Sequence, residues 1–95
     1  MKVYGETAIT EFARKHGASR KPLARFLAVA RAAAWKHLPD VKQAFPATDY
    51  AAASGTLIFN IGVNKYRLIA RVDFTEQLLF IQTVMTHEKY NRENL

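Results

Sequence analysis

The apolar residues change their spacing part-way along the chain, and that change limits the fold to a small set. Between residues 19 and 34, Leu23, Phe26, Leu27, Ala30 and Ala34 recur at the three-to-four-residue interval of one helical stripe. From Thr56 onward the pattern becomes that of strands. Segments 56–61, 65–74 and 78–85 are rich in Ile, Leu, Val and Phe, and turn-type residues at 62–64 and 73–77 separate them. Three consecutive strands with short connections form an antiparallel meander. Helices followed by a run of strands define the α+β class.

The rest of the chain fits around this frame. Residues 1–4 alternate and suit a short first strand. Thr7 is placed to cap a helix over 8–16, with Gly17 ending it. Ser19 stands at the start of the second helix and Pro22 in its first turn, where a proline is tolerated. The pattern breaks around Pro39, resumes as a helical turn over 41–44, and stops at Phe45-Pro46. Residues 47–55 are small and polar and read as a loop. The expectation is a single domain over 1–95, with two N-terminal helices packed on a small antiparallel sheet.

Composition narrows the function classes. With 95 residues and a hydrophobic fraction of 49%, a folded domain with a modest core is expected. No apolar run approaches the ~20 residues that span a bilayer, and the first residues lack the apolar stretch of a secretory signal, so a cytoplasmic protein is expected. There is no cysteine, and three scattered histidines make no metal pattern, so no metal or cofactor is expected. The net charge is +6. Residues 1–46 carry nine Lys/Arg against three Asp/Glu, whereas residues 47–95 carry five of each. An excess confined to one half suits a polyanion such as RNA. On the second helix Lys21, Arg25 and Lys36 fall opposite the apolar stripe, with Arg20 and Arg31 on a flank.

The reactive side chains gather elsewhere, in Thr86-His87-Glu88-Lys89-Tyr90 and on the strand bearing Lys65, Arg67 and Arg71. Residues two apart in a strand share a face. With a hairpin turn centred near residues 75–76, Lys65 lies across from Thr86 and Arg67 across from Val84. With the first turn centred on Val63, Phe59 lies beside Arg67 and Ile61 beside Lys65. A bulge would shift either register by one. His87 therefore leaves its strand near the outward-pointing cations. RNA cleavage needs a base for the 2′-hydroxyl, an acid for the leaving 5′-oxygen and cations for the charge on phosphorus. His, Tyr, Lys and Arg supply these. Each also has a plainer role: Arg67 and Arg71 can pair with Asp73 or Glu76, Tyr66 and Tyr90 can pack, and Trp35 caps the core.

Phe59-Asn60-Ile61, Asn64-Lys65-Tyr66-Arg67-Leu68, Phe80-Ile81 and Thr86-His87-x-x-Tyr90, preceded by Trp35, Val41-Lys42 and Phe45-Pro46, stand in one order along nearly the whole chain. This ordered set resembles the HigB family of bacterial toxins within the RelE/ParE superfamily. The resemblance implies a RelE-like fold and ribosome-dependent endonuclease cleavage of mRNA in the ribosomal A site. It also implies inhibition by a HigA-type helix-turn-helix antitoxin, with operator DNA bound only through the toxin–antitoxin complex. By carry-over Arg67 stabilises the scissile phosphate, and His87 and Tyr90 serve in acid–base or stacking roles, with Lys65 and Lys89 in support. Asn64, Arg71 and Gln82 join Arg25, Arg31 and Lys36 as expected RNA contacts. The chain departs from the family pattern at Gln82, where relatives often have Arg. It departs also at the turn Gly62-Val63-Asn64, at the order Glu88-Lys89 and at Asn91. Two rival readings share the fold: a non-catalytic RNA- or ribosome-binding inhibitor, and a gyrase-targeting toxin.

Overall fold

A computed structural model describes residues 1–93. Strand β1 (Lys2–Tyr4) leads into helix α1 (Glu6–Lys15). A 3-10 turn at Gly17–Ser19 then precedes α2 (Arg20–Ala32), and α3 (Leu38–Ala44) follows. Strands β2 (Asp49–Ala51), β3 (Thr56–Ile61), β4 (Tyr66–Asp73) and β5 (Leu78–Thr86) come next, and α4 (His87–Glu93) closes the described chain. The strands form one sheet in the order β1-β5-β4-β3-β2. Its pairs are antiparallel except β1 with β5, which is parallel. The α+β class is as expected, but the sheet is mixed rather than purely antiparallel. No helix among the described residues is long and apolar enough to cross a membrane.

Local chemistry explains most boundaries. Thr7 does not cap α1; Gly5 holds that position with φ 85°. A side chain at Gly5 would run into the Ile81 carbonyl, so the chain turns from β1 into α1 directly against β5. Ser19 stands before α2 but donates instead to the His16 carbonyl at 2.6 Å. It is fully buried in the joint between the first two helices. α2 ends at Ala32, so Ala34 falls outside the helix and is exposed. The supposed loop at 47–55 contains β2, three residues too few to show a strand period.

The core lies between the helices and one face of the sheet. Leu23, Phe26 and Ala30 of α2 meet Phe59, Leu68, Ala70 and Leu79, all essentially inaccessible. Phe59 stands edge-on to Phe26 at 4.8 Å between ring centroids and to Phe45 at 5.5 Å. Trp35 closes the edge of this cluster, as expected. Burying a side chain such as Phe26 or Phe59 contributes roughly 1.5–3 kcal/mol.

Two irregularities set which side of the sheet each residue faces. Gly62, Val63 and Asn64 all have left-handed φ, at 65°, 54° and 70°. This left-handed turn takes four residues between Ile61 and Tyr66, one more than the sequence suggests. Arg67 consequently pairs with Asn60, not Phe59. A one-residue slip reverses the face of every side chain, so the expected pairing would have set Arg67 beside a core phenylalanine. On β5 the expected register holds from Ala70↔Ile81 to Asp73↔Leu78, then shifts between Ile69 and Ala70. The shift leaves Gln82 without a partner residue on β4 and sets Arg67 opposite Met85, not Val84, and Tyr66, not Lys65, opposite Thr86. Lys65 belongs to the turn rather than to the strand.

Candidate active site

On β4 the residues Tyr66, Leu68 and Ala70 face the helices, which leaves Arg67, Ile69 and Arg71 on the opposite face. Arg67 is nevertheless only 8% exposed. Its guanidinium donates to the Asn64 side-chain oxygen at 2.8 Å, to the Tyr66 carbonyl at 3.2 Å and to the Asn64 carbonyl at 3.4 Å. It also reaches His87 Nδ1 at 2.6 Å and lies 5.7 Å from the centre of the Tyr90 ring. The left-handed turn therefore has a chemical consequence. It brings both oxygens of Asn64 back onto the arginine three residues later.

His87 is delivered by the start of α4. The Thr86 hydroxyl accepts from the Lys89 N–H at 3.1 Å, the bond that caps a helix N-terminus, and the His87 N–H donates to the Lys65 carbonyl at 2.8 Å. The chain thus bends away from β5 directly beside Arg67. Residues three and four apart share a helix face, so Tyr90 and Asn91 join His87. His87 Nε2 lies 3.0 Å from the Asn91 amide. An arginine can only donate, so Nδ1 must accept and Nε2 must carry the imidazole proton. Asn91 Nδ2 is the amide atom that faces Nε2, so with this tautomer the side-chain amide turns over to bring its oxygen to that proton.

Beyond Tyr90 opens a cleft of about 400 Å³, lined among others by Asp49, Tyr50, Ser54, Ile58, Ile69 and Gln82. Ile58 and Ile69, partners across β3 and β4, lie among these lining residues. Arg71 lies four residues along β4 from Arg67 and donates to the Ser54 carbonyl at 2.6 Å. Asn60, beside Arg67, donates to the Ala47 carbonyl at 3.0 Å and ties the loop before β2 to the sheet. Among the described residues no three His, Asp or Glu side chains assemble as a metal-binding group.

The fold thus brings together Arg67, His87, Tyr90 and Asn64, with Gln82 and Arg71 farther along the same face. Lys65 is exposed in the adjoining turn, and Lys89 is exposed two residues from His87. The helix cations divide. Arg25 lies beside the turn, sharing a small depression with Asn60, Gly62 and Val63. Arg31 is ion-paired with Glu6, and Lys36 is exposed in the segment before α3. Asn91 was not among the site residues expected from sequence. Its signal was the four-residue spacing from His87, legible only if residues 87–93 are taken as a helix.

Comparison with known proteins identifies the family. Residues 19–93 match the family model described as HigB_toxin, RelE-like toxic component of a toxin-antitoxin system. The chain is 34% identical over 58 residues to proteins named mRNA interferase toxin HigB, from Escherichia coli K12, and mRNA interferase HigB, from Escherichia coli O157:H7 and Shigella flexneri. Those matches cover 60% of this chain and 56% of each relative, so the matched stretch spans little more than half the length of these relatives. The family match covers most of the chain and includes β4, β5 and the described part of α4. The chain belongs to the HigB toxin family.

Proposed function

We propose that this protein is the toxin of a type II toxin–antitoxin module and acts as a ribosome-dependent mRNA interferase. The observation that carries the reading is Arg67, nearly buried yet bonded at once to Asn64 and to His87 Nδ1, beneath the Tyr90 ring. A structural arginine would more simply pair with a carboxylate. Here the charge is held by neutral acceptors, leaving it available for a phosphate.

The chemistry follows from the tautomer. A scissile phosphate draws the Arg67 guanidinium toward its oxygens and frees the lone pair on His87 Nδ1. That nitrogen takes the proton of the 2′-hydroxyl, and the 2′-oxygen attacks phosphorus. Arg67 stabilises the charge that builds on the non-bridging oxygens. The bond from phosphorus to the 5′-oxygen breaks as that oxygen takes a proton from Tyr90 or from the Lys65 or Lys89 ammonium. The products are a 2′,3′-cyclic phosphate and a 5′-hydroxyl. With its side-chain amide turned over, Asn91 accepts from His87 Nε2–H and so keeps the reactive nitrogen turned to Arg67.

In this reading the chain is a single RelE-like toxin domain working in the cytoplasm on mRNA in the ribosomal A site. A HigA-type antitoxin restrains it, and operator DNA is bound only through their complex. Arg25, beside the site's turn, is the helix cation best placed to meet RNA. Cleavage mapping of a defined mRNA, with and without translating ribosomes, tests the proposal. Wild type should cut only on ribosomes, and Arg67→Ala should not cut. Intact message with translation still blocked would replace the interferase by a non-catalytic inhibitor.

A further inference from the structure

The outer face of the sheet does not end at the cleft. Beyond Gln82 lies an aromatic pair that the chemistry above does not use. β1 joins the sheet in the register Lys2↔Leu78, Val3↔Leu79 and Tyr4↔Phe80. Leu79 is fully buried toward the helices, so Tyr4 and Phe80 stand on the opposite face, the face of Arg67. Their rings stack at 5.6 Å and 19°, yet remain 45% and 40% exposed. Phe80 is in turn the direct partner of Arg71 on β4.

One row of the sheet therefore reads Tyr4, Phe80, Arg71, with Lys2 on the same side of β1. Four residues of strand separate Arg71 from Arg67, about 13 Å, a distance that a short stretch of single-stranded RNA bridges. Of the carboxylates on this face, Asp49 on edge strand β2 lines the cleft, and Asp73 closes β4 two residues beyond Arg71. Exposed aromatic rings interleaved with cations bind single-stranded nucleic acid through base stacking and phosphate pairing.

We propose that Tyr4, Phe80 and Arg71 form a second RNA subsite, at which an unpaired base of the message stacks on the aromatic pair while Arg71 meets its phosphate. The subsite rests on the reading of the Arg67 cluster as the place of cleavage and extends the RNA path across the sheet from it. It positions substrate and takes no part in the chemistry.

The test separates binding from chemistry. Tyr4→Leu/Phe80→Leu keeps apolar area on the sheet edge and removes the stacking rings; Phe80→Trp keeps a ring. Single-turnover cleavage on mRNA-programmed ribosomes is followed against toxin concentration, with melting curves to establish folding. The leucine variant should need about tenfold more toxin for half-maximal rate, in line with the loss of one stacked base. Its maximal rate should stay within about twofold of wild type, and Phe80→Trp should behave as wild type. An unchanged half-saturating concentration in the folded leucine variant overturns the subsite. So does a variant that keeps its RNA readout but loses antitoxin binding, since the face then belongs to a protein. If wild type cuts nothing, anisotropy of a labelled single-stranded RNA oligonucleotide decides. Weaker binding by the leucine variant upholds the platform while the cleavage reading falls. Equal or absent binding overturns the platform.

Discussion

Strand β4 has two faces with opposite characters. Tyr66, Leu68 and Ala70 turn to the helices and lie at 9%, 0% and 0% exposure, with Tyr66 edge-on to Phe12 and beside the His16 ring. Arg67, Ile69 and Arg71 turn to the other side, where oxygen and nitrogen acceptors wait for the cations. The packing that stabilises the fold and the polar network proposed to act on RNA lie on opposite faces of a single strand. The core face gains from close packing and tolerates no gap. The outer face carries a polar network anchored where the 62–65 turn meets the α4 cap, at the Tyr66 end of the strand. Substitutions on the two faces should therefore move different observables.

The largest effect is expected at His87. His87→Ala removes the group that accepts from Arg67, and cleavage on ribosomes should fall by about 10²–10⁴, the usual range for a lost acid–base group. The melting temperature should shift by only a few degrees. A melting shift as large as a core truncation would join the two faces that this account separates.

Asn64→Ala separates positioning from binding within the outer face. Asn64 is fully polar and exposed, but its side-chain oxygen is already taken by Arg67. Its loss should lower the maximal cleavage rate about tenfold, comparable to one charge-assisted hydrogen bond, by loosening Arg67. A change confined to substrate affinity would return Asn64 to a direct RNA contact.

Val63 tests the turn itself. It is β-branched, left-handed at φ 54° and 96% exposed, so nothing but the turn's geometry holds it there. Val63→Gly should raise stability by about 1 kcal/mol through relief of that conformation. Denaturant unfolding measures it, and a loss of stability would mean the valine makes a contact that matters.

The smallest effect lies away from both faces. Asp40 Oδ2 accepts from the Lys36 and His37 N–H groups at 2.9 and 3.2 Å, before α3. The Lys36 bond chiefly, against an opposing effect of desolvation, holds its carboxyl below the ordinary carboxylate range. A lowered value in the folded state means that the stabilisation is present at neutral pH and is lost on acidification. Asp40→Asn should melt slightly below wild type at pH 7, and the gap should close below about pH 4. A gap independent of pH would show that the charge contributes nothing.

Much of this division was legible in the sequence. The stripe Leu23, Phe26, Leu27 and Ala30 located α2, and the three apolar runs located β3 to β5 within about one residue. Arg67, His87 and Tyr90 were identifiable as a group because both hairpins are short. What escaped was set by backbone conformation rather than composition. Three consecutive left-handed residues at 62–64 and the bulge at Gln82 shift both registers, and only the shifted registers put Arg67 on the polar face. α4 carries no apolar stripe; a Thr86 cap and docking beside Arg67 form it. For that reason the contact of Asn91 with His87 went unseen. β2 is too short for any period to be read.

The most direct test places neighbours against each other. Leu68→Ala and Arg67→Ala alter consecutive residues on opposite faces of β4, and both are measured for melting temperature and for cleavage per folded molecule. Leu68→Ala should cost about 2–5 kcal/mol of stability and keep its cleavage rate wherever it is folded. Arg67→Ala should cost clearly less stability than Leu68→Ala. Asn64 is exposed and His87 only half-buried, so their freed acceptors can turn to water, while the Tyr66 carbonyl alone loses a buried bond. The same variant should lose cleavage by about 10² or more. If Arg67→Ala unfolds like Leu68→Ala, or cleaves like wild type, the division between a packed face and a reactive face is wrong.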